Sequence, residues 1–294
     1  MIYFVLIYNE DKLKKEGSFF MAIRNTYDLR KAIDKAVDEV KITDIHTHIF
    51  TTDFGAQLLC GVDELINYHY LQAETMRLVD IPYEEFWAMT KKEQADLIWD
   101  TLFIKNLPYS EACRGVLTVL EKLGLNVASR DLNEYRDYFK KITTDEYIDI
   151  VFNVAGVKEV VMTNDPFVDE ERAVWLNNYK GDNRFKAALR IDPLLNAWDN
   201  NYVKLKEWGY SVKQELDEHT LLEIRRFLNE WIDKMDALYM AASLPPDFKV
   251  PENSARSVII EKCIIPVSKE KNVPFAMMIG VKKLTNPELK LGGD

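Results

Sequence analysis

The feature that most constrains this chain is a unit that repeats through its second half. Segments 157–163 (VKEVVMT), 185–191 (FKAALRI), 238–244 (LYMAASL) and 275–281 (FAMMIGV) are short apolar runs. Helical patterns lie between them, from residue 170 and over 197–209, 220–235 and 254–272. Short apolar strands alternating with helices predict a parallel sheet buried on both faces. Three of the predicted strands end in turns that carry Asp-Pro or Pro-Pro, at the edge where α/β barrels build their sites.

A fifth strand is predicted much earlier, over 42–50. Its β-branched residues Ile42, Ile45 and Ile49 fit no helical stripe. Within KITDIHTHIF sit His46 and His48, two of the four histidines in the chain. Side chains two apart on a strand share a face, so both imidazoles can grip one cation of the zinc type. Asp44 lies on that face too, one pleat earlier. The competing reading is a pair of half-buried polar residues at a strand end, and spacing alone does not separate the two.

Five strands fall short of the eight of a closed (β/α)8 barrel. No Gly-rich phosphate loop of the dinucleotide-binding type follows any of them. The expected fold is therefore α/β, an incomplete TIM-type barrel with about five of its eight strands.

Helices fill the rest. Leu29, Ile33, Ala36, Val37 and Val40 mark a helix with Thr26 as its N-cap. Residues 62–78 return to helix and contain His69 and Tyr70. A lone His or Tyr on a helix is more often a packing residue than a functional one. Residues 83–123 are helical and rich in large apolar side chains, with Ser110 as an N-cap and Gly124 as a stop. The helical spacing of Trp87, Trp99 and Phe103 makes them core rather than an aromatic ligand box. The stretch at about 80–154 reads as a helical insertion after the first strand.

Composition narrows the function classes. A chain of 294 residues with 47% hydrophobic content can bury a large core. Its net charge of -10, with no Lys/Arg run, argues against nucleic acid. No apolar run reaches the ~18 residues of a membrane span. Cys60, Cys113 and Cys263 form no CxxC and no even disulfide framework, which fits a reducing, cytoplasmic setting. His219 sits in a polar stretch that reads as a surface loop. Residues 1–20 make a poor signal peptide. Lys14-Lys15-Glu16-Gly17 reads like a translated purine-rich ribosome-binding site, so Met21 is the expected natural start and 1–20 a mis-assigned extension.

The runs ITDIHTHIF, DELINYHYLQAE, FWAMTKKEQADLIWDTLF, SEACRGVLT, VVMTNDPF, AALRIDPLLN, YMAASLPP and VPFAMMIGVKK together resemble the uronate isomerase (glucuronate isomerase) family. This is an outlying branch of the amidohydrolase superfamily, whose first barrel strand the DxHxH stretch resembles. The likeness covers 21–283 and corresponds to the N-terminal two-thirds of the family. It implies a barrel of the metal-dependent hydrolase kind. It also implies interconversion of D-glucuronate with D-fructuronate, and of D-galacturonate with D-tagaturonate.

The resemblance makes His46 and His48 ligands of a divalent metal, with Zn2+ expected. Tyr70 becomes a catalytic tyrosine that reaches the substrate, with His69 beside it as a binding residue. Arg190 becomes an arginine that holds the sugar acid, against the alternative of a barrel-end salt bridge to Asp192. The family's metal-binding and catalytic aspartate, in a His-Ser-Asp context, has no counterpart here. The chain is thus expected to be a C-terminally truncated form, and the third metal ligand and the base are expected in the missing part. The resemblance also suggests a homo-oligomer. Two readings compete: a metal-dependent hydrolase of the same superfamily, and a non-catalytic remnant.

Overall fold

The computed structural model describes residues 23–58, 60–177, 179–280 and 283–293. The expectation for residues 1–20 lies outside them. The chain divides into two units, 1–41 and 42–294. The first contributes one helix, α1 (Thr26–Glu39), capped by Asn25, whose side chain accepts from the Asp28 amide. Asn25 therefore takes the place predicted for Thr26. None of the residues of α1 is buried, and the apolar stripe Leu29, Ile33 and Val37 stays exposed.

The second unit holds a five-stranded parallel sheet in the order β1-β2-β3-β4-β5. The strands are β1 (Ile42–Thr47), β2 (Val157–Asn164), β3 (Phe185–Arg190), β4 (Met240–Leu244) and β5 (Phe275–Ile279). All four pairings are parallel. Alternation divides the strand residues between two faces. Val160, Met162, Ala187, Leu189, Met240 and Ala242 face the helices and form the main core. That core is closed by α9 (Asp169–Leu176), α10 (Asp192–Asn196), α11 (Trp198–Glu207), α12 (Glu218–Met235), α13 (Ala255–Ile259) and α14 (Ile265–Lys271). A π-turn at Ile260–Ile264 joins α13 to α14, and Pro266 opens α14. The wide turn accommodates a residue that cannot donate a backbone N–H.

The sheet curls. In a flat sheet β1 and β4 would lie three strand spacings apart, roughly 14 Å. Yet the hydroxyl of Tyr239, the residue before β4, donates to the carbonyl of Ile45 in β1 at 2.6 Å. Curling brings β1 and the entry to β4 together across the inner face, giving part of a TIM-type α/β barrel.

Between β1 and β2 the chain is helical: α2 (Val62–Ile66), α3 (His69–Met76), α4 (Tyr83–Ala88), α5 (Lys91–Trp99), α6 (Glu111–Lys122), α7 (Leu132–Phe139) and α8 (Thr144–Val154). Residues from α2 through α7 have a core of their own, with Trp99 and Phe103 stacked at 4.3 Å inside it. Ser110 caps α6 as predicted, and Thr90 and Thr143 form capping boxes with Glu93 and Glu146. The helix predicted over 62–78 breaks at Asn67, whose side-chain amide donates to the carbonyls of Asp63 and Lys91. A short polar side chain that satisfies backbone groups competes with helix continuation. A hairpin, β6 (Lys283–Asn286) with β7 (Leu291–Gly293), follows the sheet. The Trp87 indole of α4 donates to the Glu288 carbonyl in its turn.

Arg136 in α7 fastens three helices of this second core. Its guanidinium is nearly buried and reaches Asp63 of α2 at 2.8 Å and Asp96 of α5 at 2.7 Å. Removing one partner of such a set leaves uncompensated charge. Arg136→Met is expected to cost about 2–3 kcal/mol, below the cost of a fully buried break because Asp96 keeps partial access to water. Urea unfolding of the purified variant checks this.

Candidate functional site

The strand face opposite the main core carries the polar residues. His46 lies in β1, Asp165 just past β2, Arg190 at the end of β3, and Ser243 near the end of β4. In a parallel α/β barrel this is the edge at which strand ends present side chains to a ligand.

β1 is shorter than predicted. Its pairing with β2 shifts register between Asp44 and Thr47, and the strand stops there. Beyond it, side chains replace the ladder: the Ile49 amide donates to Thr47 Oγ1 and Thr163 Oγ1 donates to the Thr47 carbonyl. His48 is thus one residue past the strand, yet its ring stands 5.6 Å from that of His46 and nearly perpendicular to it. Two imidazoles sharing a zinc at about 2.0–2.1 Å from each nitrogen have ring centres on the order of 5 Å apart. The pair therefore fits one borderline cation.

Burial, first, and the positive neighbours lower the pKa of both histidines below the ordinary 6.5: His48 and Arg190 act on His46, and Arg190 acts on His48. The neutral imidazole that a metal requires is favoured. Asp44 opposes this weakly while accepting from the His46 amide at 3.0 Å. Among the described residues no group of three or more His, Cys, Asp or Glu side chains is placed to hold a metal, and two histidines fall short of the three protein ligands of a catalytic zinc site.

Arg190 is held from two sides. Its Nε and Nη2 donate to the two carboxylate oxygens of Asp192 at 2.9 and 3.2 Å, and Nη2 also donates to Ser243 Oγ at 3.1 Å. The Ser243 amide donates to Asp192 in turn. The salt bridge to Asp192 weighed as an alternative is present. It uses one edge of the guanidinium, and Nη1 has no protein acceptor among the described residues. A guanidinium held by one carboxylate, with Nη1 uncommitted, can still donate to a second anion.

Asp165 and Glu171 were not singled out from sequence. Glu171 is buried at the start of α9 and accepts from the Asn164 side chain and the Asp165 amide, both at 2.9 Å. Asp165 is largely buried. Burial raises its pKa to about 7 despite a hydrogen bond from the Phe167 amide, and Glu171 and Asp192 add to the rise. A carboxyl that keeps its proton to that pH can donate a hydrogen bond as well as accept one. The only sequence signal was the NDPF turn after a strand. Beside this cluster, a cavity of about 780 Å³ opens at the ends of β3 and β4, with Asp192, Asn196, Ser243 and Arg256 on its wall.

His69 and Tyr70 begin α3. Their rings lie 4.2 Å apart, tilted by 41°, and both touch Tyr68. Tyr70 is half exposed and, with Glu74 of α3 and Glu111 of α6, lines a different cavity of about 670 Å³. Among the described residues no hydrogen bond, ion pair or ring contact joins His69 or Tyr70 to His46, His48 or Arg190. The structure brings together the two histidines and the arginine.

A curled parallel sheet with paired imidazoles and a guanidinium at its C-terminal edge defines an α/β-barrel site suited to a cation and an anionic ligand. Comparison with solved structures sharpens this. The chain is similar to a uronate isomerase from Bacillus halodurans C-125, with 53% identity over 91% of this chain and a TM-score of 0.89. It is also similar in fold to a glucuronate isomerase from Caulobacter crescentus (13% identity over 96% of this chain, TM-score 0.60) and a uronate isomerase from Thermotoga maritima (14% over 90%, TM-score 0.64). The chain spans 64%, 65% and 66% of the lengths of these three proteins. No protein-family model and no curated protein sequence matches it.

Proposed function

We propose that this chain carries part of the catalytic barrel of a uronate isomerase. The reaction would be aldose–ketose isomerisation of D-glucuronate to D-fructuronate, and of D-galacturonate to D-tagaturonate, in hexuronate breakdown. The single observation that carries this reading is the 53% identity with the Bacillus halodurans uronate isomerase. Nη1 of Arg190, uncommitted among the described residues and near the histidine pair, agrees with it, because a hexuronate is an anion and the protein's net charge is -10.

In this reading the open-chain sugar acid lies with its carboxylate on Nη1 of Arg190. A base takes the proton from C2, an enediol(ate) forms, and a proton is returned at C1. His46 and His48 would hold a divalent cation, and Zn2+ suits their imidazoles. When bound, such a cation supplies positive charge near the oxygen that becomes anionic. Asp165, protonated up to about pH 7, is suited to donate to a sugar oxygen. The roles of Tyr70 as a donor to the substrate and of His69 as a binding residue rest on the family resemblance. A homo-oligomer is part of the same reading. A cytoplasmic setting agrees with Cys60, Cys113 and Cys263 all being free thiols. Among the described residues no helix is long and apolar enough to cross a membrane.

The test is incubation of the purified chain with Zn2+ and D-glucuronate, following D-fructuronate formation, together with sugar-acid binding by calorimetry. Arg190→Lys keeps a charge for Asp192 but loses the fork. It is expected to weaken binding of the sugar acid about 100-fold, the value of one charge-assisted pair. Unchanged binding would remove Arg190 from the site. Hydrolysis of an ester or amide without isomerisation would move the chain to the hydrolases.

A further inference from the structure

We infer that Tyr239 is a positioning residue for His46, fixing its imidazole in the tautomer that leaves Nε2 free to bind a cation. The inference rests on the reading of His46 as a metal ligand. It follows from counting protons at one oxygen. The Tyr239 phenol has a single proton, and it is donated to the Ile45 carbonyl at 2.6 Å, an acceptor that cannot donate in return. The same phenol oxygen lies 3.3 Å from Nδ1 of His46. With its proton committed, the oxygen can only accept there. Nδ1 must therefore carry the hydrogen, and the lone pair of the neutral ring is on Nε2.

The opposite tautomer would set two lone pairs against each other at that distance. The carbonyl and the imidazole belong to consecutive residues of β1, while Tyr239 comes from just before β4 on the far side of the curl. One side chain therefore sets both the closure of the barrel wall and the orientation of the ring. A hydrogen bond to the second ring nitrogen is how proteins orient metal-binding histidines, and losing such a partner costs about 10–100-fold in metal affinity.

The experiment uses the full 294-residue chain, stripped of metal, with no sugar present. Long-range proton–nitrogen correlation at pH 8 reads the His46 tautomer, its signal assigned with His46→Asn. Zn2+ affinity is measured by competition with a chromophoric chelator for the parent and for Tyr239→Phe. The expected results are an Nδ1–H tautomer in the parent, loss of that preference in Tyr239→Phe, and Zn2+ binding at least 10-fold weaker in the variant. A role confined to holding the barrel wall would leave the tautomer unchanged. An Nε2–H tautomer in the parent overturns the inference, as does equal Zn2+ affinity in the two proteins. Should the parent bind no Zn2+, the metal reading of His46 and His48 fails, and the parent's tautomer alone decides the role of Tyr239. The parent's spectrum also decides it if Tyr239→Phe does not fold.

Discussion

Phe227→Ala is expected to destabilise the α/β core by about 4 kcal/mol, at the upper end of single-residue effects. Phe227 lies on α12 and is fully buried. Its ring is surrounded by four others: Phe167 at 5.7 Å, Trp208 at 6.4 Å, Tyr210 at 5.5 Å and Trp231 at 6.3 Å. Truncation removes the transfer free energy of the ring and leaves a cavity that rigid aromatic neighbours fill poorly. Tyr210 and Trp231 are further tied by stacked arginines, Arg226 over Tyr210 and Arg172 over Trp231, which limits collapse. Urea unfolding followed by tryptophan fluorescence measures the loss directly. A cost under about 1 kcal/mol would mean that the cluster relaxes into the gap, and that α12 is not the keystone of this layer.

That cluster was legible in the sequence as a helix, and not as a ring cage. Four of the five strands could be placed because each is a short apolar run between loop signals, and such runs form buried parallel strands; β1 was marked by its β-branched residues. The helix cap at Ser110 could be placed because the chemistry is local. The failures are informative for the same reason. Asn67 ends a helix by reaching the Lys91 carbonyl, 24 residues away, and the β6–β7 hairpin is too short and polar to show a period.

The site divides in the same way. The spacing of His46 and His48 marks a candidate pair while leaving a packing reading open, and Arg190 is marked by the family resemblance. Tyr239 meets His46 across a separation of 193 residues, so no local pattern points to it. Asp165 was visible only as part of a turn. What makes it unusual is the burial supplied by distant elements, together with Glu171 and Asp192.

Asp165 also gives the chain its clearest expected pH signature. Its carboxyl has an ordinary value of 3.8 when exposed and is raised to about 7 in the fold. Between these values the folded protein holds a proton that the unfolded chain has released, so stability falls as pH rises through this window. The full penalty, present above about pH 7, is on the order of 4 kcal/mol at 1.36 kcal/mol per pH unit. Asp165→Asn keeps an acceptor for the Phe167 amide and abolishes the titration. The variant is therefore expected to gain about 2–3 kcal/mol more over the parent at pH 8 than at pH 5. Urea unfolding of both proteins at the two pH values checks it. An equal difference at both would mean that Asp165 ionises normally, with Arg190 neutralising the charge that burial penalises. The same residue would then be an anion across the working range, and the proton it is proposed to offer a sugar oxygen would have to come from elsewhere.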